Sequence, residues 1–136
     1  MELGFFEQRF DYATSASYKQ AIDKNIKAQK VMLKDKEAAQ CNEIFTIDGD
    51  AKKGEKWVME LLKLMLRAFN GECDAAVGKV SCANYNTMEN RLSKSFSAIN
   101  KLAENYSCEI ETKYLDLKVE QLRLAYEYEV KLRDER

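Results

Sequence analysis

The chain has 136 residues, of which 46% are hydrophobic and 33% charged, with five glycines and no proline. That composition fits one compact, mostly helical domain and excludes a disordered or collagen-like chain, and the length excludes a two-domain enzyme with a cofactor fold. Lys and Arg number 22 against 23 Asp and Glu, a net charge of −1, so any nucleic-acid-binding field has to be local. The absence of histidine removes the commonest general base at neutral pH and the partner of Ser/His and Cys/His nucleophile pairs, so no catalytic residue is assigned.

The N-terminus has no basic region ahead of a hydrophobic run, which argues against a secretory signal and for a cytoplasmic location. Phe5, Phe6, Phe10 and Tyr12 form a short aromatic arm over residues 1–13, expected to dock on a core. Capping hydroxyls at Thr14, Ser15 and Ser17 then lead into Tyr18, Ile22, Ile26, Gln29 and Leu33 at helical spacing, which predicts helix one over 15–39. Its other side carries Lys19, Lys24, Lys27, Lys30 and Lys34, the one concentrated positive surface. Such a stripe is either a solvated face or a set of phosphate contacts without base specificity. Glu43 to Ile47 is the only β-like run, closed by the Asp48-Gly49 turn, and reads as a short strand or an extended connector.

Helix two is expected over 50–80, with Trp57, Leu61, Met65, Phe69, Val77 and Val80 forming a broad apolar arc. Its most apolar stretch, Trp57 to Phe69, is interrupted by Glu60, Lys63 and Arg67 and falls short of the roughly 20 residues of a membrane span, so no membrane contact is expected. Glu72 falls inside the apolar arc. A desolvated carboxylate requires a cation, and Arg91 and Arg123 are the candidates for a buried ion pair with it; the other readings are a helix-edge Glu that reaches solvent and a ligand-sensing carboxylate. Arg67, Asn70 and Asp74 share the opposite, polar face and form a candidate partner-binding surface, while Gly71 and Gly78 point to a close helix crossing.

Asn86-Thr87-Met88-Glu89 reads as a capping box, and Met88, Leu92, Phe96, Ile99 and Leu102 define helix three. Helix four is expected from about Glu109 to the last residue, with no stop signal, which suggests continuation in a longer protein. It carries two apolar stripes: Leu115, Val119, Leu122, Tyr126 and Val130, and roughly opposite, Ile110, Tyr114, Leu117, Leu124 and Tyr128. Either this helix runs through the middle of a bundle, or one stripe meets a second copy of the chain or the continuation of the same one. The expected architecture is mainly all-α: a four-helix-bundle-like domain over 1–126, with a short extended or β segment near 43–47. A charged, exposed, coiled-coil-like linker starts at 127, where Glu127, Glu129, Lys131 and Arg133 dominate. The four cysteines, Cys41, Cys73, Cys82 and Cys108, contain no Cys-x-x-Cys pair and read as structural or incidental thiols; no metal and no cofactor are expected.

Several ordered blocks together resemble a known family. They are the Phe5 to Tyr12 arm with its Lys-rich helix, Leu66 to Asp74 (LRAFNGECD), Ala98 to Leu102 (AINKL), Tyr114 to Lys118 (YLDLK) and Leu122 to Glu129 (LRLAYEYE). The chain resembles, over nearly its whole length, the bacterial and phage domain of unknown function 4041. Proteins of that family commonly place this domain ahead of a GIY-YIG-type nuclease domain, as in SNIPE-type anti-phage nucleases, some of which carry a membrane anchor. The resemblance implies a non-catalytic module that positions a linked nuclease on phage DNA or on a protein engaged in phage genome entry. Recognition would use the face of Arg67, Asn70 and Asp74 or the helix-one lysines. The alternative from another class is a structural domain that dimerises the nuclease through helix four.

Overall fold

The computed structural model describes residues 10–136. Four helices, α1 (Ser15–Lys34), α2 (Ala51–Lys79), α3 (Tyr85–Ala103) and α4 (Thr112–Asp134), make up most of the chain, with two short strands, β1 (Ala39–Cys41) and β2 (Cys108–Ile110). The fold is mainly all-α. The helices alternate in direction, and β1 and β2 pair antiparallel at the end of the bundle where α1 finishes and α4 begins.

Local chemistry sets the element boundaries. Thr14 caps α1, its hydroxyl accepting from Ser17 N at 3.2 Å. The helix ends at Lys34 rather than continuing to 39, because Lys36 takes a left-handed conformation (φ 58°). Lys36 N then bonds Leu33 O and Glu37 N bonds Met32 O, the paired closing bonds of a Schellman end. Asp50 caps α2 by accepting from Lys52 N and Lys53 N at 2.9 and 3.2 Å.

The residue capping α3 is Asn84, not Asn86, and its side chain joins α2 to α3 by accepting from Ser81 N (2.7 Å) and donating to Lys79 O (2.8 Å). The strand lies at Ala39–Cys41 rather than near 43–47, since that segment meets a partner strand, Cys108–Ile110, in the register Ala39↔Ile110 and Cys41↔Cys108, whereas Ile47 makes an isolated bridge with Asp50. That pairing also delays α4 to Thr112, past the expected start at Glu109. Residues 43–46 form a connector with Ile44 93% exposed. The connector presses on α2 at Gly54, where an added Cβ would lie 1.8 Å from Phe45 O. Gly71 and Gly78, by contrast, face open space, so no close helix crossing explains them.

Phe69 packs edge-on to Phe96 (ring centroids 6.0 Å apart) and against Tyr114 (6.1 Å), with Leu92, Leu122 and Tyr126 fully buried around them. Helix α4 runs through the middle of the bundle, and both of its stripes are at least partly covered within the chain: Tyr114, Leu122, Leu124 and Tyr126 are all buried. The exposed segment expected from 127 is confined to residues 133–136, the turns before it being at least partly covered. Glu127 is 0% exposed, and further along Ser15 donates to Glu135 through both Oγ (2.6 Å) and N (3.0 Å). The last turns of α4 thus pack on the start of α1. Of the aromatic arm, Tyr12 packs tilted against Tyr18 (ring centroids 4.9 Å apart) and Phe10 against Tyr12 (5.8 Å), whereas Phe5 and Phe6 lie outside the described residues.

Candidate functional site

Helix α1 has an inner face that is largely polar. Asn25 Nδ2 donates to Leu117 O and to Glu120 Oε1, both at 2.9 Å, and Gln29 Nε2 donates to Asn25 Oδ1 (2.6 Å) and Gln121 Oε1 (2.8 Å). These buried amides fix α1 against α4 in one axial position, because a slide of either helix would strand desolvated donors. On a wheel of 100° per residue, Lys24, Lys27, Lys30 and Lys34 fall opposite Tyr18, Asn25 and Gln29, with Lys19 on the flank. All five lysines are exposed. They outnumber the one acidic residue of α1, Asp23, and neither ion pair found among the described residues involves them. From Lys19 to Lys34 the stripe extends roughly 22 Å along the helix.

The second predicted surface is a groove of about 570 Å³ on α2, where Arg67, Asn70, Gly71 and Asp74 lie beside Lys63 and beside Leu33 of α1. Arg67 and Asp74 are exposed, but Asn70 faces inward: its Oδ1 accepts from the Tyr114 hydroxyl at 2.6 Å. Burial pushes that hydroxyl up to about 12. Close by, Lys118 is only 5% exposed, with its ammonium 5.3 Å from the centroid of the Tyr114 ring. Burial lowers its pKa, opposed by Cys73 and Asp74. Sequence reasoning passed over Lys118. The available signal was its place on the wheel, between the two apolar stripes of α4.

The charged cluster is rearranged relative to expectation. Glu72 does pair with Arg91, Nε to Oε2 at 2.9 Å, but the side chains are 44% and 32% exposed, so the pair lies on the surface of α2 and α3 rather than in the core. The Arg91 guanidinium holds the Glu72 carboxyl below the usual carboxylate range. Arg123 is not a partner of Glu72. It is buried over the rings of Tyr85 (5.0 Å) and Tyr126 (5.8 Å) and donates to Glu127 Oε2. The other oxygen of Glu127 accepts from the Tyr18 hydroxyl (2.9 Å) and from Phe10 N (3.2 Å). The buried carboxylate is therefore Glu127, four residues after Arg123 in the gap between the α4 stripes, where the start of α1 covers it.

A family model described as the SNIPE associated domain matches residues 15–133. The chain belongs to this family. The match runs from the first residue of α1 to the last turn of α4, so the SNIPE associated domain is the whole four-helix body and contains every candidate residue described above. No curated protein and no solved structure matches the chain. Among the described residues of this SNIPE associated domain, no helix is long and apolar enough to cross a membrane.

Proposed function

We propose that this SNIPE associated domain is a non-catalytic positioning module that holds a linked anti-phage nuclease against duplex DNA through the outer face of α1. The observation that carries the reading is the division of α1. Its inner face is fixed to α4 by buried amides, and its outer face presents five exposed lysines that have no carboxylate partner among the described residues. A row of ammonium groups on a firmly held helix neutralises phosphates without reading bases, as suits a module that delivers a nuclease to foreign DNA of any sequence.

The test is binding to labelled duplex DNA across a salt series. Five phosphate contacts give a slope of log K against log salt near −4.5, and reversing Lys27, Lys30 and Lys34 to Glu abolishes binding. Binding that survives the triple reversal with its slope unchanged overturns the reading.

The groove around Arg67 and Asp74 favours a second reading, in which a protein engaged in genome entry docks there. Absence of DNA binding at low salt, with capture of a protein partner that Arg67→Glu abolishes, supports it. Dimerisation through α4 has weaker support, since both stripes of that helix have partners inside the chain.

A further inference from the structure

β1 and β2 place Cys41 directly opposite Cys108. On either side of that pair, Asn42 N bonds Ser107 O and Glu111 N bonds Ala38 O, both at 2.8 Å. The alternation of an antiparallel ladder then makes Cys41 and Cys108 a non-hydrogen-bonded pair, the kind whose Cα atoms approach to about 4.5 Å. That separation lies inside the span of roughly 4.4–6.8 Å that a disulfide bridges. The two side chains lie on the same face of the ribbon, and their sulfurs converge on one acceptor. Cys41 Sγ is 3.6 Å and Cys108 Sγ 3.4 Å from Tyr106 O.

Both thiols are free, and they differ in access: Cys41 is partly exposed, whereas Cys108 is buried. Burial, reinforced by a hydrogen bond with Cys41, pushes the Cys108 thiol up to about 12. The other two cysteines belong to different places, Cys73 inside α2 and Cys82 exposed between α2 and α3.

We propose that Cys41 and Cys108 are a redox modification site, closing to an intrachain disulfide when the protein meets a low-molecular-weight disulfide such as oxidised glutathione. Cys41, the accessible thiol, attacks as its thiolate; the glutathione S–S bond breaks, and the departing glutathione takes up the proton that Cys41 released. Cys108 then attacks the Cys41 sulfur of the mixed disulfide and expels the second glutathione, which leaves with the Cys108 proton. Two protein thiols are oxidised and one glutathione disulfide is reduced to two thiols. The second step is the slower one, because the buried Cys108 is seldom a thiolate. The closed bridge fastens the connector that leads into α2 to the entry of α4. It lies next to Tyr106, whose ring packs edge-on against Trp57 at 5.3 Å.

The test uses the full chain carrying Cys82→Ser, so that the exposed thiol cannot couple two copies. The folded protein is incubated with oxidised glutathione, quenched with an alkylating reagent, digested and mapped by mass. The expected product is a Cys41–Cys108 linked peptide, two hydrogen atoms lighter than the reduced pair, with Cys73 left as a free thiol. Dithiothreitol reverses the bridge, and the emission of Trp57, the chain's one tryptophan, changes with it. In Cys41→Ser, a change at a partly exposed position, Cys108 takes up no glutathione while the chain is folded. The proposal is overturned if glutathione stays on Cys41 with Cys108 unlinked, if the link forms only in denaturant, or if Cys108 reacts equally fast without Cys41.

Discussion

The Tyr18 hydroxyl donates to Glu127 Oε1 over 2.9 Å, tying the first turns of α1 to the later half of α4 through a carboxylate that is fully buried. The same carboxylate holds Arg123. Removing one member of such a pair leaves the other desolvated and uncompensated, whereas removing both need not. Glu127→Ala is therefore expected to cost about 3–5 kcal/mol of stability. The double change Arg123→Met with Glu127→Leu is expected to recover part of that loss, the share owed to the stranded guanidinium, while the Tyr18 hydroxyl and Phe10 N still lack their acceptor. Urea denaturation of the two variants measures this directly, and equal losses in both would show that Arg123 needs no counter-charge.

The surface pair behaves differently. Glu72 and Arg91 are both substantially exposed, so solvent screens their attraction and Glu72→Gln is expected to leave the urea midpoint nearly unchanged, in contrast to any substitution at Glu127. A large shift would place Glu72 in a role that its surface position does not provide.

Three glycines of α2 separate steric from conformational effects. At Gly54 a methyl group would collide with the backbone of Phe45, so Gly54→Ala is expected to destabilise and to disturb the packing of Phe45 on Trp57, 5.7 Å away, altering tryptophan emission. Gly71 and Gly78 face open space, and alanine at either should stabilise by about 0.5–1 kcal/mol, because glycine loses more chain entropy in a helix. Thermal melts of the three single variants read both signs.

Stability should fall on the alkaline side. Tyr18 and Tyr114 are raised from 10.0 to about 12, and Cys73 and Cys108 from 9.0 to about 12, in each case chiefly by burial. Above pH 9 the unfolded chain releases protons that the folded chain retains. The contribution of these groups is thus complete below pH 9 and is lost progressively as pH approaches 12. Lys118, whose pKa burial lowers, acts in the opposite direction and is relieved as it deprotonates. Denaturant midpoints between pH 7 and pH 11 should therefore decline, more steeply in Lys118→Met than in the parent. A flat profile would mean that these phenols and thiols are not protected by folding.

The sequence was most informative where periodicity and burial coincide. The ends of α2 lie within a residue of those expected, and the two stripes of α4 identified the helix that runs through the bundle. Boundaries controlled by unusual backbone were illegible: α1 ends at Lys34 because Lys36 turns left-handed, and a left-handed lysine carries none of the signal that glycine would. Strand pairing was equally hidden, since three-residue strands more than sixty positions apart leave no local pattern. The buried charge was assigned to the wrong helix because a wheel reports the direction of a side chain and not what covers it. Glu72 lies within its arc by direction but is left 44% exposed by what packs there, whereas Glu127 lies in a gap that the start of α1 fills. The lysine row was visible, but its freedom from carboxylate partners depends on contacts that only the folded chain defines.

The hydrogen bonds from Ser15 to Glu135 bring the two ends of the helical body to one pole, while β1 and β2 occupy the other. A polypeptide entering at α1 and one leaving at α4 thus share a single attachment point, like a pendant on one clasp. Segments attached to the start of α1 and the end of α4 would leave from the same pole, with the far pole and its cysteine pair extending away from both.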